Sequence, residues 1–395
     1  MVASLRTTPS LLAAAIALSL SGMAQADVGS LGDALAQGQS KLDLRYRYEF
    51  VDQDGNLDEG QASTLRTRLT YDTATFRGLS GRLEFDNVTE VLQDNYNDLS
   101  GDPERQRYAV VADPEYTEVN QAYLDYAAPA KTLLRVGRQR INLDNQRFVG
   151  GVGWRQNEQT YDAVAIVNQA LPQTTITLAN VTNVNTILGG DISGEDHQVI
   201  HVHNATIPLA NVSAYGYLLN DISDTYGARL SGDADTKPVK FGYALEYATQ
   251  NTDDAGTDLD TTYWHANLSA GAKLAKVTLG YEVLGSDDGQ GAFQTPLGTK
   301  HKFNGWADKF LTTPNDGLVD TYVTVASAAL GPKVALSYHQ FDADEGSANY
   351  GDELDLAIST TFGDRYSGLL KFAHYNADEY ATDTDKVWLQ LGASF

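Results

Sequence analysis

Cysteine is absent from the 395-residue sequence. Its absence excludes disulfide bonds, thiolate metal sites and catalysis by a thiol. Long apolar runs are missing as well, because no stretch after residue 26 approaches the roughly 18 uninterrupted apolar residues that a membrane-spanning helix requires. The sequence is therefore not that of a helical membrane protein.

Basic residues are scarce and unevenly distributed. The 28 Lys and Arg residues stand against 52 Asp and Glu residues, which gives a net charge of −24. Such a charge repels nucleic acid phosphates and anionic lipid unless the basic residues are segregated. Thirteen of the sixteen arginines lie between Arg45 and Arg155, and after them only Arg229 and Arg365 follow. We expect one basic region in an acidic protein, and no nucleic acid partner.

The first 26 residues have the layout of an export signal. A single basic residue, Arg6, precedes an apolar run from Leu11 to Leu20, and the small-residue pattern Ala24-Gln25-Ala26 follows. The apolar run is too short to span a membrane. We predict that residues 1–26 are a cleaved signal peptide and that residues 27–395 form one mature domain.

Short segments of alternating apolar and charged residues recur along the chain. Residues 41–50 read KLDLRYRYEF, and the same alternation is found in ASTLRTRLTYD, VKFGYALEY, KVTLGYEVL and KVWLQLGASF. A period of two over about eight to twelve residues indicates strands with one apolar face. We predict eighteen strands, at about 41–51, 62–74, 79–92, 116–127, 131–140, 159–168, 173–183, 197–207, 210–220, 224–232, 237–249, 261–272, 275–285, 318–329, 332–342, 352–362, 366–376 and 385–395.

The connections between these strands alternate in length. Longer acidic or Gly- and Asn-rich segments separate the short turns, which lie at 77–81, 128–131, 171–173, 208–210, 330–333 and 363–365. Antiparallel hairpins with short turns at one end and long loops at the other are typical of outer-membrane barrels. We predict an all-β, transmembrane, antiparallel up-and-down β-barrel of about 18 strands. Both termini would be periplasmic, with the aromatic Phe395 ending the last strand.

The two faces of such strands have different environments. The Leu, Tyr and Phe face contacts lipid, and the charged face lines an interior wide enough for water. A large secreted β-sandwich or β-helix is the alternative fold. It is disfavoured because it would bury arginines and lysines strand after strand, at a cost on the order of several kcal/mol for each unpaired charge. The expected location is the outer membrane of a Gram-negative cell.

Arginines dominate the inward face of the first strands. The strand phase points six of them into the interior: Arg45, Arg47, Arg66, Arg68, Arg82 and Arg135. Guanidinium groups remain charged and grip carboxylates or phosphates bidentately, so a row of them attracts anions. Acidic residues on the same strands, among them Asp43, Asp72 and Asp86, would instead neutralise the row as structural ion pairs. The pattern favours a positive surplus over full cancellation.

Two long segments between strands carry further candidate pore residues. The first, GRQRINLDNQRFVGGVGWRQNEQTYDA at 137–163, adds the following side chains: Arg138, Arg140, Asp144, Arg147 and Arg155. It folds either into the lumen, where it would narrow the pore, or over the outer surface. Arg138 and Arg140 are out of phase with Arg135 unless Gly137 marks a bulge.

The second segment is HKFNGWADKF at 301–310, within the longest inter-strand segment, 286–317. Phe303, Trp306 and Phe310 are spaced three and four residues apart, so a short helix would gather them on one side. We expect a lumenal constriction or gate, with a helix packed over the barrel mouth as the alternative.

The segments GRQRI, NQRF, GVGWRQNEQTYDA and HKFNGWADKF resemble those of the alginate-export family of outer-membrane porins. The similarity in layout extends over nearly the whole mature chain. The resemblance implies a barrel of about eighteen strands whose arginine-rich constriction passes an anionic polysaccharide. Because the chain is shorter than the alginate exporter itself, small organic acids or sugars are alternative solutes.

Acidic residues concentrate in four presumed outer loops. The segments 52–61, 249–260, 342–353 and 376–385 hold seventeen carboxylates and no Lys or Arg. Such oxygen ligands would bind Ca²⁺ and bridge to lipopolysaccharide phosphate, whereas a solvated acidic rim is the simpler interpretation. No other cofactor is expected.

No catalytic or metal-binding motif stands out. His201 and His203 share a strand face and would allow a metal pair, but no Cys or carboxylate motif accompanies them. We predict a passive anion-selective channel rather than an enzyme. An outer-membrane hydrolase assembled across strands and a structural adhesin are the alternatives from other classes. Expected partners are outer-membrane lipid, lipopolysaccharide, the barrel assembly machinery and an anionic small molecule or polysaccharide, with monomer and trimer both open.

Overall fold

The computed structural model of the protein describes residues 27–192, 196–254 and 257–395. The predicted signal peptide, residues 1–26, lies outside the described residues. Strands account for most of the described chain: β1 (Gln39–Gln53), β2 (Gly60–Asp72), β3 (Leu79–Asn95), β4 (Tyr116–Ala128), β5 (Thr132–Gln139), β6 (Thr160–Asn168), β7 (Thr174–Asn185), β8 (Asp191–Ile192), β9 (His197–Asn204), β10 (Asn211–Leu219), β11 (Ser223–Asp235), β12 (Lys240–Asp254), β13 (Thr257–Gly271), β14 (Lys276–Leu284), β15 (Leu318–Ser327), β16 (Lys333–Asp342), β17 (Asn349–Phe362), β18 (Tyr366–Ala377) and β19 (Thr384–Ser394).

These strands close into one antiparallel barrel. Each long strand pairs with its neighbours along the chain, and β1 closes the ring by pairing with β2 on one side and β19 on the other. The two-residue β8 pairs only with the end of β7, which itself pairs onward with β9. The wall therefore has eighteen strands, which confirms the predicted number and class of fold.

The two faces of the wall differ as the alternation predicts. Leu124, Leu268 and Leu279 on the outer face are 67%, 68% and 60% exposed, whereas Arg47 on the inner face is 1% exposed. On the outer face Tyr247 and Trp264 lie side by side, with ring centroids 4.3 Å apart. An apolar outer belt with aromatic side chains is the surface that lipid requires.

Helix is nearly absent from the described residues. The helix α1 (Leu31–Ala36) precedes β1, and the side chain of its N-cap Ser30 accepts a hydrogen bond from the Asp33 backbone. Tyr71 of β2 donates its hydroxyl to the carbonyl of Leu35, which holds α1 against the barrel. Nothing helical in the described ranges has the length and apolar character needed to cross a membrane.

Turns and loops lie at opposite ends of the barrel. The turn end has connections of three to six residues, at 73–78, 129–131, 169–173, 205–210, 236–239, 272–275, 328–332 and 363–365. The other end, the loop end, carries three long connections, of which the third and seventh loops in chain order, L3 (140–159) and L7 (285–317), matter most below. β1 begins and β19 ends at the turn end, as the even strand number requires.

One predicted acidic loop is mostly strand. The segment 249–260 lies within the β12–β13 hairpin, where Asn251 pairs with Asp260 and Thr252 with Leu259. The prediction of a loop was wrong because the segment is polar on both faces. A strand that extends beyond the membrane has no need of an apolar face, so the alternation on which the prediction rested is lost while the ladder continues.

Candidate pore constriction and anion site

L3 folds into the barrel and is held against β1 by two arginines. Arg45 donates from Nε to Gln156 Oε1 at 2.8 Å and from Nη1 to the carbonyl of Gly153 at 2.9 Å. Arg47 donates from Nη2 to the carbonyl of Trp154 at 2.5 Å. A guanidinium with several fixed donors can hold several carbonyls of an irregular segment at once. Arg45 and Arg47 therefore fix this part of L3 in the lumen.

L3 also reaches the opposite part of the wall. Asp144 lies 2.8 Å from His201 Nε2 on β9 and accepts a hydrogen bond of 2.7 Å from Ser213 on β10. Burial opposes ionisation of Asp144, but the contacts with His201 and Ser213 hold its pKa below its ordinary value. L3 is thus tied to β1 at one end and to β9 and β10 at the other, so it crosses the lumen.

L7 enters the same space from the other side. Asn304 donates to Glu282 of β14 at 2.6 Å, and the backbone amide of Ala307 donates to Glu353 of β17 at 2.7 Å. The two loops also join each other, because the amide of Gly150 donates to the carbonyl of Leu297 at 2.9 Å. The sequence left open whether L3 and L7 lie in the lumen or over the outer surface of the barrel. In the structure both lie in the lumen.

The helix expected in L7 is not formed. The helical piece within the segment is a single 3₁₀ turn, Lys300–Lys302. Asn304, Gly305 and Asp308 have φ angles of +55°, +80° and +62°, which an α-helix excludes. At Gly305 a Cβ atom would lie 2.3 Å from the Glu353 carboxylate. The backbone therefore approaches the wall so closely that only glycine, which has no side chain, fits at this position.

The three aromatic residues of L7 consequently point to different places. Phe303 lies under the guanidinium of Arg147, with 4.8 Å from Cζ to the ring centroid. Trp306 lies 3.7 Å from the ammonium of Lys371. Phe310 packs 4.5 Å from the nearest aromatic ring of β16. They anchor L7 at three points rather than forming one cluster.

Most arginines of the wall face a carboxylate directly across the strand pair. In each case the two residues are partners in the β-ladder and lie within 2.8 Å of each other: Arg68 with Asp86, Arg82 with Asp72, Arg135 with Asp125, Arg138 with Asp162 and Arg229 with Glu246. Cross-strand pairs of opposite charge stabilise a sheet and neutralise each other. At these positions the arginines are mainly structural.

Arg138 does not belong to the inward row. Gly137 has a φ of +122°, but the ladders on both sides of β5 run through it without a shift in register. Gly137 therefore marks no bulge, and Arg138 lies on the face opposite to Arg135, which corrects its assignment to the pore lining. Its partner there is Asp162, with Nε 2.8 Å from the carboxylate.

The L3 arginines and Arg47 are also paired. Each contacts a carboxylate: Arg140 with Glu158, Arg147 with Glu282 at 2.8 Å, Arg155 with Asp308 at 2.9 Å and Arg47 with Asp113 at 3.1 Å. Burial opposes ionisation of Glu158, but Arg140 and Arg68 hold its pKa below the ordinary value. Arg147 and Arg47 join loops to the wall, Arg155 joins L3 to L7, and Arg140 closes a pair within L3, so the pairs hold the loops in position.

Arg45 and Arg66 are the exception. The register of β1 and β2 places them directly opposite each other. Arg45 hydrogen-bonds only to neutral oxygens, those of Gln156, Gly153 and Arg155. Arg66 is 9% exposed and donates no hydrogen bond to the described residues, and its Nε is buried without a partner. Among the described arginines of the inner wall, those without an ion pair are thus confined to this one place, whereas the sequence favoured a surplus along the whole row.

Lysines of L7 add to the positive charge of the lumen. Lys302 donates to the carbonyl of Asn145 at 2.9 Å, whereas Lys300 and Lys309 have no ion pair within 4 Å in the described part of the chain. Burial, together with Lys386, lowers the pKa of Lys309 to about 8. Lys309 is therefore mostly charged at neutral pH.

The histidine-containing cluster is not a catalytic triad. Ser213 donates to Asp144, and His203 Nδ1 lies 3.2 Å from the same serine oxygen. A nucleophilic serine must donate to a histidine that a carboxylate orients, whereas here the serine hydroxyl donates its hydrogen bond to the carboxylate itself. Among the described residues no group of three or more His, Cys, Asp or Glu side chains could hold a metal ion. The geometry argues against the hydrolase alternative.

Several residues of the site escaped the sequence analysis. Gln156, Asp113 and Glu353 hold the loops or their arginines. Lys371 of β18 contacts both loops. No spacing in the sequence links these residues to their partners, which are 46 to 217 positions away. The alternation of apolar and polar residues would have placed Glu353 and Lys371 on an inner face, but it does not predict which residues they contact.

The closed wall, the apolar outer belt and the two lumenal loops define an outer-membrane β-barrel of porin architecture. The solved structure of Pseudomonas aeruginosa OpdK with vanillate is similar, with a TM-score of 0.75, 16% identity and coverage of 91% of this chain and 99% of that one. Acinetobacter baumannii OccAB4 has a TM-score of 0.74, 15% identity and coverage of 94% and 99%. P. aeruginosa OccK9 has a TM-score of 0.76, 14% identity and coverage of 92% and 99%.

Residues 39–175 match the sequence model of the family described as Alginate export. This match confirms the resemblance to the alginate-export family for that part of the chain, which includes Arg45, Arg66 and L3. No curated protein matches the sequence. Fold and family match together place the protein in the outer membrane.

Proposed function

We propose that the protein is a passive outer-membrane channel for anions and that Arg45 and Arg66 form its anion-selective site. The observation that carries the proposal is their direct opposition in the ladder, where neither has a carboxylate partner within 4 Å among the residues that the structure describes. Like charges directly opposite each other destabilise a sheet. Because the other inward arginines are neutralised, an unneutralised pair is best explained by an anion that passes or binds there.

Carboxylate-bearing solutes suit this site best. The guanidinium of Arg66 donates no hydrogen bond within the described residues, so its N–H donors are left for the two oxygens of a carboxylate, while Arg45, which is bound to L3, adds a second positive charge. The similar OpdK structure is a complex with vanillate, and the Alginate export match covers β1 and β2. Both support organic acids or uronate sugars as solutes. Because L3 and L7 cross the lumen, we infer that small anions or a single extended chain pass, rather than bulky folded polymers.

We further propose that the protein performs no chemistry on the solute. The serine, histidine and carboxylate groups around Asp144 lack the order that hydrolysis needs. The lipopolysaccharide around the barrel and the barrel assembly machinery are its proposed partners. Hydrolysis of lipid or peptide substrates by the purified barrel would contradict this part of the proposal.

The test is the reversal potential of single channels in a planar bilayer across a KCl gradient. An anion-selective channel gives a reversal potential of the sign set by chloride, although the protein carries a net charge of −24. Location decides the sign, because loop carboxylates in bulk water are screened over roughly 8–10 Å at physiological salt. A cation-selective channel would contradict the proposal.

A further inference from the structure

Three of the four tryptophans in the chain surround one lysine. The ammonium of Lys371 lies 3.7 Å from the ring centroid of Trp306, 4.2 Å from that of Trp154 and 5.2 Å from that of Trp388. Lys371 is 6% exposed. A cation that has lost its water in this way is stabilised by the negative faces of aromatic rings.

The rings come from separate parts of the fold. Lys371 of β18 and Trp388 of β19 are partners in the ladder, so both belong to the wall. Trp154 belongs to L3 and Trp306 to L7. One ammonium therefore contacts the wall and both lumenal loops at the same time.

A hydrogen-bonded chain continues from Lys371 into L7. Its Nζ lies 2.6 Å from Nε2 of His301, whose Nδ1 lies 2.6 Å from Asp308 Oδ1. The carboxylate of Asp308 also receives Arg155 of L3 at 2.9 Å and Lys386 of β19 at 3.1 Å. An ionised carboxylate only accepts hydrogen bonds, so Nδ1 of His301 carries the proton and Nε2 accepts one from the ammonium. His301 is therefore neutral.

The ring of His301 extends the same cluster. It stacks on Trp154, with centroids 4.5 Å apart and planes 8° apart. Arg47 lies over the same indole, with Cζ 4.2 Å from the ring centroid. Trp154 is thus in contact with L7 through His301 and with the wall through Arg47 and Lys371. Its position depends on cations of the wall as well as on apolar contacts, among them the ring of Trp388 with centroids 5.8 Å apart.

We propose that Lys371 is a positioning residue that fastens L3 and L7 to the β18–β19 wall and so sets the bore of the pore beside Arg45. The inference rests on the proposed function, because it names the residue that holds the constriction of that channel. Lys371 itself contacts no solute in this scheme. It acts through Trp154 and Trp306, which carry the two loops.

The ionisation state of His301 provides a readout that a merely structural lysine would not affect. Burial lowers the pKa of His301 well below its ordinary value. The positive charge of Lys371 lowers this pKa further, whereas the negative charge of Asp308 raises it. The charged groups that face the Lys371–His301 pair come from L3, L7 and three strands, β1, β17 and β19: Asp308, Arg155, Lys386, Arg47, Glu353 and Asp355. Replacing Lys371 by methionine removes the ammonium beside Nε2 and leaves Asp308 on the other side.

The experiment compares Lys371→Met with the wild type and with Lys333→Met, which removes the same charge from an exposed site at the start of β16. We expect Lys371→Met to raise single-channel conductance and add sub-states, because both loops lose their fastening. Its tryptophan emission should become sensitive to pH, with a midpoint higher than that of the wild type, because the variant loses the repulsion of Lys371 and keeps the attraction of Asp308. The wild type and Lys333→Met should show constant emission from about pH 5 to 8.

The outcomes separate this inference from the proposed function. Unchanged conductance and pH-independent emission of an assembled Lys371→Met barrel would overturn the positioning role, whatever the wild-type selectivity. A cation-selective wild type would overturn the proposed function, whatever the conductance of the variant. If Lys371→Met does not assemble, Trp154→Leu replaces it, since this change removes a ring of L3 and leaves the wall intact. Trp154→Leu should also raise conductance, and unchanged conductance of that variant would overturn the inference.

Discussion

Replacing Arg66 by glutamine should abolish most of the anion selectivity while leaving the barrel intact. Arg66 lies opposite Arg45 and donates no hydrogen bond within the described residues. Its removal therefore breaks no hydrogen bond among the described residues. Glutamine keeps a polar side chain of similar reach in the lumen.

The size of the effect follows from two electrostatic terms. A solute anion about 4 Å from the guanidinium is stabilised by about 1 kcal/mol in water and by about 4 kcal/mol at an effective dielectric constant of about 20. With about 1.4 kcal/mol for each factor of ten, the lower figure already gives a change of about five-fold in local anion concentration. At a separation of about 6 Å the two arginines repel each other by about 0.7 to 3 kcal/mol, so Arg66→Gln should not destabilise the barrel.

The assay is the reversal potential in a KCl gradient for Arg66→Gln and for a matched double variant, Arg82→Gln with Asp72→Asn. In the double variant one cation and one anion that face each other across the ladder are removed together. The local charge there stays the same, so its reversal potential should equal that of the wild type. Arg66→Gln should shift the potential toward zero.

Two results would refute the reasoning. A wild-type reversal potential in Arg66→Gln would show that the unneutralised pair does not set selectivity. An equal shift in the double variant would show that the whole inner wall contributes and that pairing across the ladder does not neutralise its arginines. Unfolding of each variant in urea, compared with that of the wild type, shows whether the barrel has assembled. This control separates both results from a loss of folded protein.

Three further predictions concern L7 and the topology. The pKa of Lys309 is lowered to about 8, first by burial and then by Lys386, so its charge is present at pH 7 and is lost as the pH rises through that value. Anion selectivity measured as reversal potential should therefore fall between about pH 7 and 9 in the wild type and stay constant in Lys309→Gln. Epitope tags at Gly55, in the first loop, should bind antibody on intact cells, whereas tags at Gly331, in a turn, should not; the opposite result would invert the topology. Deleting residues 301–310 should raise single-channel conductance, and an unchanged conductance of the assembled variant would contradict the lumenal position of L7.

The strands could be predicted because their pattern is local. Lipid outside and water inside impose a period of two on every membrane-crossing strand. Each of the eighteen strands can therefore be recognised from its own residues. The predicted and observed bounds differ most at β12 and β13, which extend to Asp254 and Thr257. There the strands leave the membrane, both faces meet water and the period disappears.

The prediction of a helix in L7 was wrong for a different reason. Phe303, Trp306 and Phe310 have a helical spacing, but the wall residue Glu353 and the positive φ angles at Asn304 and Gly305 dictate an irregular path. Local spacing is a weak predictor of a helix when the segment has no regular hydrogen bonds of its own and its path is set by contacts with the wall around it. The three rings then serve three separate contacts.

The sequence by itself determined the barrel, its strand number and the inward phase of six strand arginines, and it singled out the two long segments while leaving open whether they enter the lumen. It did so because burial against lipid or water acts on each residue independently of its distant neighbours. The tertiary structure alone decided which arginines are neutralised. That outcome depends on register: Arg68 meets Asp86 and Arg82 meets Asp72, whereas Arg45 meets Arg66. A shift of two residues between β1 and β2 would preserve every inward and outward face and yet change every pair of charges, which is why the alternation in the sequence could not reveal the site.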